Sequence, residues 1–292
     1  MIRNVLLWLR IIRPQTLFAS LVPVLVAVII VGRYHIDYSI IVASLTLLCA
    51  LSLQILSNLI NDCYDFLRGT DKAGRKGFKR ALAESQVSLR DMKCACFATA
   101  AVACLLGLYL VYEGGVAILV TGISALLFAW LYTATRYSLS YLGIADVFVY
   151  LYYGVIATVG TSYLLLGCDM SSDKTLAVYR DSFFAGSVCG FISMCVLLIN
   201  NIRDIDDDRK VGKRTFPVRF GKRAAEVAML CLVVLMPLFA YLSFGFSIPL
   251  LIVVPAVVLW FKTLRAEGSG YNKCLVFAGM INAFYLLLCL LM

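Results

Sequence analysis

Long apolar runs separated by short polar segments dominate the pattern of this chain. A helix needs about 20 mostly apolar residues to cross a bilayer, and this template predicts nine membrane-spanning helices. The predicted spans cover residues 16–33, 38–60, 94–112, 115–133, 142–166, 182–201, 224–244, 247–262 and 274–292. The pattern therefore predicts an all-α polytopic membrane protein in which residues 1–292 form one domain.

A shorter segment, Val5 to Ile12, precedes the first span and carries Trp8. Arg13–Pro14 interrupts the apolar pattern, and a residue before proline disfavours helical geometry. The start of the chain has the basic and apolar character of a signal peptide. However, no clean small-residue cleavage site follows, and the apolar run is long enough to span. We expect an uncleaved first helix behind a short interfacial segment.

Composition and charge support this prediction and orient the chain. Hydrophobic residues make up 62% and charged residues 15%, whereas soluble domains have roughly 45–50% and about 25%. With nine spans, 23 of the 26 lysines and arginines share the side of the N-terminus, which the positive-inside rule assigns to the cytoplasm. The net charge of +9 then reflects topology and attraction to anionic lipid.

The same composition makes several kinds of site improbable. The basic residues flank the membrane and are not gathered in a soluble domain, so nucleic acid is not an expected partner. The eleven cysteines lie almost entirely in predicted spans without metal-knuckle spacing, and we expect them to act as small hydrophobic residues. The single histidine, His35, cannot build a histidine metal site or a catalytic triad.

Carboxylates are concentrated in two inside loops, residues 61–93 and 202–223. Each loop begins with acidic residues at the end of an apolar helix. Of the 17 acidic residues of the chain, these two places hold Asp62, Asp65, Asp71, Asp204, Asp206, Asp207 and Asp208. The clusters lie on the same side of the membrane, so any internal repeat is parallel, unlike the inverted repeats of many transporters.

The two clusters share a spacing. Asn58 and Asp62 are four residues apart, and Asn200, Asp204 and Asp208 repeat this interval. Residues four apart lie on one helix face, so each cluster predicts a stripe of oxygen atoms. Two stripes facing each other would form a strongly negative cavity.

Clustered carboxylates need a cation, because repulsion and burial otherwise raise their free energy or protonate them. An oxygen-only set selects a hard divalent ion, Mg²⁺ with Mn²⁺ as the alternative, which shares its coordination with substrate phosphates. The predicted ligands are Asn58, Asp62, Asp65, Asn200, Asp204 and Asp208. Nearby basic residues suited to phosphate oxygens are Arg68, Lys72, Lys79, Arg80, Arg203, Lys213 and Arg214. Together these residues predict a diphosphate site. For Asp71, Asp206, Asp207 and Lys210, solvated loop charge is an equal alternative.

At these residues the sequence resembles the UbiA superfamily of intramembrane aromatic prenyltransferases. The matching segments are WLRIIRPQTLFAS (residues 8–20), residues 58–71, YLGIADVFVYLYYGVIATVGT (141–161) and NNIRDIDDDRKVGKRTFPVRFG (200–221). The GKRT and VRFG continuation and the GT after the fifth span favour the branch acting on 1,4-dihydroxy-2-naphthoate. Gly69 departs from the benzoate branch, which has an aspartate there, so the third ligand of the first motif stays open.

The resemblance implies a fold, a reaction and partners. The fold would be nine helices around a central cavity that opens sideways to lipid, in a bacterial cytoplasmic membrane. A polyprenyl diphosphate would be held through Mg²⁺ at the cytoplasmic end. Its prenyl C1 would join the aromatic acceptor, 1,4-dihydroxy-2-naphthoate, with release of pyrophosphate and CO₂.

The resemblance also suggests roles for further residues. Arg13 would pair with the carboxylate of the acceptor, and Gln15 would lie near it. Tyr132 and Arg136 would contact diphosphate or cap a helix. Tyr153, with Tyr150 and Tyr152, would shield an allylic cation or serve as packing. Asp146 would act as a base toward the naphthol or be only a helix N-terminal charge.

Two other readings remain at this stage. Another member of the superfamily would act on 4-hydroxybenzoate, homogentisate or haem. A divalent-cation transporter would use the acids as a pathway, but it would place ionisable residues at mid-membrane depth. Here the acids lie at one end of the spans.

Overall fold

The structure is a computed structural model that describes residues 2–69, 80–134 and 138–292. The predicted site residues Lys72 and Arg136, together with Asp71 and Lys79, lie outside these ranges. All regular structure in the described ranges is helical. The helices are α1 (Ile2–Ile12), α2 (Pro14–Arg33), α3 (Ile40–Leu67), α4 (Leu89–Leu131), α5 (Leu139–Leu142), α6 (Ala145–Tyr150), α7 (Ile156–Leu165), α8 (Asp173–Arg203), α9 (Ile205–Lys210), α10 (Phe216–Phe220), α11 (Lys222–Phe244), α12 (Val253–Leu264) and α13 (Gly270–Leu290). A π-helical turn, Leu151–Val155, joins α6 to α7, and a 3₁₀ turn, Ile248–Ile252, leads into α12.

Seven helical stretches in the described residues are long and apolar enough to cross a membrane. They are Pro14–Arg33, Ile40–Leu67, Leu89–Leu131, Ala145–Leu165, Asp173–Arg203, Lys222–Phe244 and Gly270–Leu290. A shorter apolar stretch, Ile248–Leu264, lies between the last two. The predicted third and fourth spans form one 43-residue stretch that is broken at Gly115, where φ is 62° and ψ is −151°. These apolar helices make the chain an integral membrane protein.

Helix α8 forms the centre of the fold. In its apolar window 78% of the residues are buried, against 11% for α4. Small residues let the π-helical turn pack directly on α8: a Cβ on Gly154 would lie 2.6 Å from the Gly186 carbonyl oxygen and 2.7 Å from the Gly190 Cα. This contact fixes the position of Tyr153, the residue before Gly154.

Two predicted boundaries near the site differ from the structure. Helix α3 continues to Leu67, beyond the predicted end at residue 60, so Asp62 and Asp65 lie in the helix and not in a loop. The fifth predicted span starts at Ala145 and not at residue 142, because Gly143 turns the chain with a φ of 72°. A Cβ at Gly143 would lie 2.1 Å from the Arg214 carbonyl oxygen, so only glycine fits there.

The spacing predicted that the second carboxylate stripe lies on one continuous helix. In the structure the helix is interrupted within this stripe. Helix α8 ends at Arg203, Asp204 has a φ of −98° and a ψ of 10°, and α9 begins at Ile205. Hydrogen bonds from the Asp204 amide to the Asn200 carbonyl and from the Asp208 amide to the Asp204 carbonyl still bridge the bend. The two aspartates therefore stay at one end of α8 despite the break.

Candidate active site

The first acid cluster lies near the end of α3, where Asp62 contacts one arginine that precedes it in the sequence and one that follows it. Asp62 is 3% exposed and accepts a hydrogen bond from Arg13. Its Oδ1 also lies 3.0 Å from Nη1 of Arg80. Arg13 has a left-handed backbone, with φ 58° and ψ 71°, at the junction between α1 and α2. Two guanidinium groups thus compensate the buried charge of Asp62.

Asn58 fastens α3 to that same junction. Its Nδ2 donates to the Ile12 carbonyl and to Thr16 Oγ1, both at 2.9 Å. Its Oδ1 accepts a hydrogen bond from Gln54 at 3.4 Å. The side chain that the sequence predicts as a metal ligand is therefore used here to hold helices together.

The second cluster centres on Arg203, whose side chain is 2% exposed. Its Nε and Nη2 donate to the two carboxylate oxygens of Asp204, both at 2.7 Å, which is the strong bidentate arrangement. It also donates to Oδ1 of Asn200 at 2.7 Å and to Oδ1 of Asn272 at 2.8 Å. Arg203, predicted to contact phosphate, here ties the end of α8 to the start of α13.

Lys213 lies between the two clusters. Its Nζ is 3.7 Å from Oδ1 of Asp65 and 3.7 Å from Oδ1 of Asp208. Both carboxylates are 6% exposed. The structure thus brings the ends of the two acid clusters together around one cation. Across the described ranges, no three Asp, Glu, His or Cys side chains are grouped closely enough to hold a metal ion by themselves.

Two adjacent cavities lie next to the arginine partners of the acid clusters, and neither is lined by Lys213 or by the four aspartates. A cavity of about 220 Å³, which we call the polar cavity because many polar and charged residues line it, is bounded by α2, α3, α4, α8 and α13. An apolar cavity of about 360 Å³ lies next to it between α3, α4 and α7. The predicted site residues that line the polar cavity are Arg13, Asn58, Arg80, Tyr132, Tyr153, Asn200 and Arg203. Both cavities share Gln54, Ser57, Phe128 and Tyr153. We call these four residues the neck.

The predicted tyrosine group divides into two parts. Tyr153 belongs to the neck, and Tyr152 lines the apolar cavity while stacking on Phe128 at 4.9 Å. Tyr150 instead stacks on Phe191 at 5.4 Å and hydrogen-bonds Ser187 at 2.8 Å. Tyr150 is therefore a packing residue.

Helix α5 docks on the loop that carries Lys213. The Arg214 amide donates to the Tyr141 carbonyl at 3.2 Å, and Arg219 donates to the Leu142 carbonyl at 2.5 Å. The Tyr141 ring faces two cations, with Arg68 at 4.9 Å and Lys213 at 5.8 Å from its centroid. Helix α5 and the loop that carries Lys213, which are distant in sequence, thus pack against each other next to the acid clusters.

Residues 20–288 match the model of the UbiA prenyltransferase family. The chain belongs to this family. It is similar to 1,4-dihydroxy-2-naphthoate octaprenyltransferase of Escherichia coli (strain K12), with 34% identity over 77% of this chain and 72% of the relative. The protein of the same name from Bacillus subtilis (strain 168) is 27% identical over 75% of this chain and 67% of the relative. The resemblance noted in the sequence is confirmed, and the chain is a prenyltransferase.

Solved structures show the same fold at low identity. A UbiA homolog from Archaeoglobus fulgidus, bound to DMAPP and Mg²⁺, superposes with a TM-score of 0.62 at 21% identity, covering 97% of this chain and 98% of that one. An apo UbiA homolog from Aeropyrum pernix K1 gives 0.68 at 15% identity, covering 93% and 96%. The helical arrangement of this UbiA prenyltransferase is thus that of the family.

The sequence did not single out four polar residues of the prenyltransferase site. Gln54 and Ser57 belong to the neck, Asn282 lines the polar cavity, and Asn272 binds Arg203. Each lies in or at the edge of an apolar helix, where an amide or hydroxyl needs a partner. A polar side chain in an apolar helix was therefore the sequence feature that could have identified these residues. Asp146, predicted as a base, is partly buried at the start of α6 and lines neither of the two cavities.

Proposed function

We propose that this UbiA-family enzyme transfers a polyprenyl group from polyprenyl diphosphate to 1,4-dihydroxy-2-naphthoate, giving pyrophosphate, CO₂ and demethylmenaquinol, the hydroquinone form of demethylmenaquinone. The observation that carries the proposal is the meeting of two acid clusters around Lys213, at 3.7 Å from each, with adjacent polar and apolar cavities next to the arginines of these clusters. Such a site suits a substrate with a charged head and an apolar tail. The names of the curated relatives support the naphthoate acceptor.

The donor set fits Mg²⁺, with Mn²⁺ as the alternative. The four buried aspartates offer only oxygen, the preference of hard divalent ions. Asp65 and Asp208, one from each acid cluster, both lie 3.7 Å from Nζ of Lys213. Asp65 and Asp208 would hold the ion. Asp62 and Asp204, which contact arginines in the structure, would also coordinate it, with Asn58 and Asn200 close by. When bound, the ion would neutralise charge on the diphosphate and so favour its departure. The Archaeoglobus fulgidus homolog with GPP and Mg²⁺ supports this assignment.

The chain's own residues would bind and orient both substrates. Arg13, Arg80 and Arg203 line the polar cavity and are suited to phosphate oxygens. Lys213 would stabilise charge on the leaving group. We propose that Lys72 and Arg136, outside the described ranges, add further contacts to the diphosphate.

The neck would set the reacting geometry. With the tail in the apolar cavity, the prenyl C1 would lie beside Tyr153 and Phe128, whose rings can face an allylic cation. The C1–O bond breaks with its electrons going to pyrophosphate, and the ring carbon of the acceptor that bears the carboxylate bonds to C1. The acceptor then loses its carboxylate as CO₂, which restores aromaticity. Apolar walls exclude water that would otherwise capture the cation.

The proposed topology places this site at the cytoplasmic face. We propose that the two arms of α4 on either side of Gly115 cross the membrane separately, as does Ile248–Leu264, which gives nine crossings with the N-terminus inside. A straight 43-residue helix would be about 65 Å long, twice the hydrocarbon thickness. Residues 1–292 would then form one catalytic domain in a bacterial cytoplasmic membrane.

An acceptor panel tests the proposed function. Purified enzyme receives one polyprenyl diphosphate, Mg²⁺ and either 1,4-dihydroxy-2-naphthoate, 4-hydroxybenzoate or homogentisate, and products are identified by mass spectrometry. We expect a prenylated, decarboxylated product from the naphthoate and none from the other two. A product only from 4-hydroxybenzoate or homogentisate would contradict the acceptor while leaving prenyl transfer in place.

A further inference from the structure

A tier of polar side chains lies deep in the polar cavity, away from the charged groups. Ser193 lies ten residues before Arg203 on α8, and Asn282 lies ten residues after Asn272 on α13. Because Arg203 contacts Asn272 at 2.8 Å, and ten residues span about 15 Å of helix, both residues lie at a similar depth. Gln54 lies eight residues, about 12 Å, before Asp62 on α3.

The protein itself satisfies two members of this tier. Ser193 donates to the Cys189 carbonyl at 3.0 Å. Gln54 accepts from Ser20 at 3.2 Å and donates to Asn58 at 3.4 Å. These side chains have fixed hydrogen bonds and form part of the wall of the cavity.

Asn282 differs from them. It is 2% exposed, lines the polar cavity, and its Oδ1 accepts no hydrogen bond from any described residue. One turn earlier, Gly279 lets α13 approach α2, since a Cβ there would lie 3.1 Å from the Gln15 carbonyl oxygen. A buried amide oxygen without a donor is costly, so this group calls for a donor within the cavity.

We propose that Oδ1 of Asn282 accepts a hydrogen bond from a ring hydroxyl of the aromatic acceptor and so selects hydroxylated rings. This inference rests on the proposed function and adds a recognition residue to it. With the tail in the apolar cavity and the diphosphate among the charged groups, the acceptor ring occupies the polar cavity between the neck and α13. A ring hydroxyl directed toward α13 then supplies the missing donor. The bond also orients the ring carbon that attacks C1.

The test compares wild type with Asn282→Leu, which keeps the number and branching of the side-chain heavy atoms and removes the amide. We expect KM for 1,4-dihydroxy-2-naphthoate to rise about 10-fold, with KM for the prenyl diphosphate unchanged. The analogues 1-hydroxy-2-naphthoate and 4-hydroxy-2-naphthoate each lack one ring hydroxyl and serve as competitive inhibitors. In wild type one of them should bind about 10-fold more weakly than the other, and in Asn282→Leu this difference should disappear.

Tyr285→Phe is the matched control, because Tyr285 is a buried polar residue one turn further along α13 that lines neither of the two cavities. It should leave both KM values and the analogue preference unchanged. If Asn282→Leu does not accumulate as folded protein, Asn282→Ala carries the same measurement. An unchanged analogue preference in the Asn282 variant would overturn the proposal.

A failure of the proposed function would be seen in the wild-type enzyme, independently of the Asn282 variants. Wild type that prenylates 4-hydroxybenzoate and not the naphthoate contradicts that acceptor, and the hydroxyl preference is then measured with benzoate as the deoxy analogue. Loss of that preference in Asn282→Leu would still support the role of Asn282. Its persistence would overturn that role.

Discussion

Asp62→Ala and Asp204→Ala are each expected to lower prenyl transfer by about 10³-fold or more, measured as initial rate with purified protein. Each substitution removes a carboxylate that we propose joins the metal-diphosphate site. Asp62→Ala should stay folded, because Arg13 and Arg80 are 15% and 14% exposed and can be solvated. Asp204→Ala leaves the buried Arg203 with the amides of Asn200 and Asn272 and should lose stability. Rates are therefore compared per amount of folded protein, taken from the yield and elution volume of each variant.

Asp207→Ala is the matched control for these variants. Asp207 precedes Asp208 but is exposed and paired with Lys210 at 3.0 Å on the surface of α9. Exposed pairs of this kind contribute little, so its rate should stay within about 2-fold of wild type. A folded Asp62→Ala or Asp204→Ala enzyme that kept most of its activity would contradict the assignment.

Arg203→Ala is expected to destabilise the protein by about 3–5 kcal/mol, because it leaves the buried Asp204 charge without its bidentate partner. Asn200 and Asn272 lose their donor as well, so the contact between α8 and α13 is weakened. The free energy of unfolding, measured by denaturant titration in detergent, reports this loss, and prenyl transfer should fall with it.

Two further variants separate charge from geometry at this position. Arg203→Lys keeps the positive charge but cannot form the bidentate contact with Asp204, so its stability should lie between those of wild type and Arg203→Ala. Arg209→Ala removes an exposed arginine from α9 and should change stability by less than about 0.5 kcal/mol. Equal stability of Arg203→Ala and Arg209→Ala would show that the contacts of Arg203 do not stabilise the junction between α8 and α13.

The sequence predicted the elements that depend on composition. Apolar run lengths located the helices, and the polar break near Gly115 coincides with the non-helical residue of α4. The repeated interval of Asn58–Asp62 and Asn200–Asp204 indicated where charge would collect. These signals are local, because a bilayer requires apolar length and buried carboxylates require cations.

Which cation meets which carboxylate could not be predicted from spacing. Lys213 reaches Asp65, 148 positions away, only because α5 docks on its loop and α9 bends away from α8. Arg203 forms a bidentate contact with its own neighbour, Asp204, which the spacing of the motif does not indicate. Such choices depend on tertiary contacts between helices that are distant in sequence.

The polar residues of the cavity were missed for another reason. Gln54 continues the four-residue interval of Asn58 and Asp62 into the apolar part of α3, whereas Ser57 and Asn282 are single polar residues in apolar helices, so the carboxylate clusters did not draw attention to them. Helix packing alone brings them to the cavity. The π-helical turn that places Tyr153 at the neck is equally hidden, because it depends on the close contact of Gly154 with Gly186 and Gly190.

The rate of prenyl transfer as a function of free Mg²⁺ tests the central claim most directly, namely that the facing carboxylates bind the diphosphate through a divalent ion. Wild type and the double variant Asp65→Asn/Asp208→Asn are titrated from full chelation upward, with polyprenyl diphosphate and the naphthoate in excess. We expect no transfer under chelation, full recovery with Mg²⁺ in wild type, and at least about a 10-fold higher Mg²⁺ requirement in the double variant. Undiminished transfer by wild type under full chelation, or an identical Mg²⁺ requirement in both proteins, would contradict the claim.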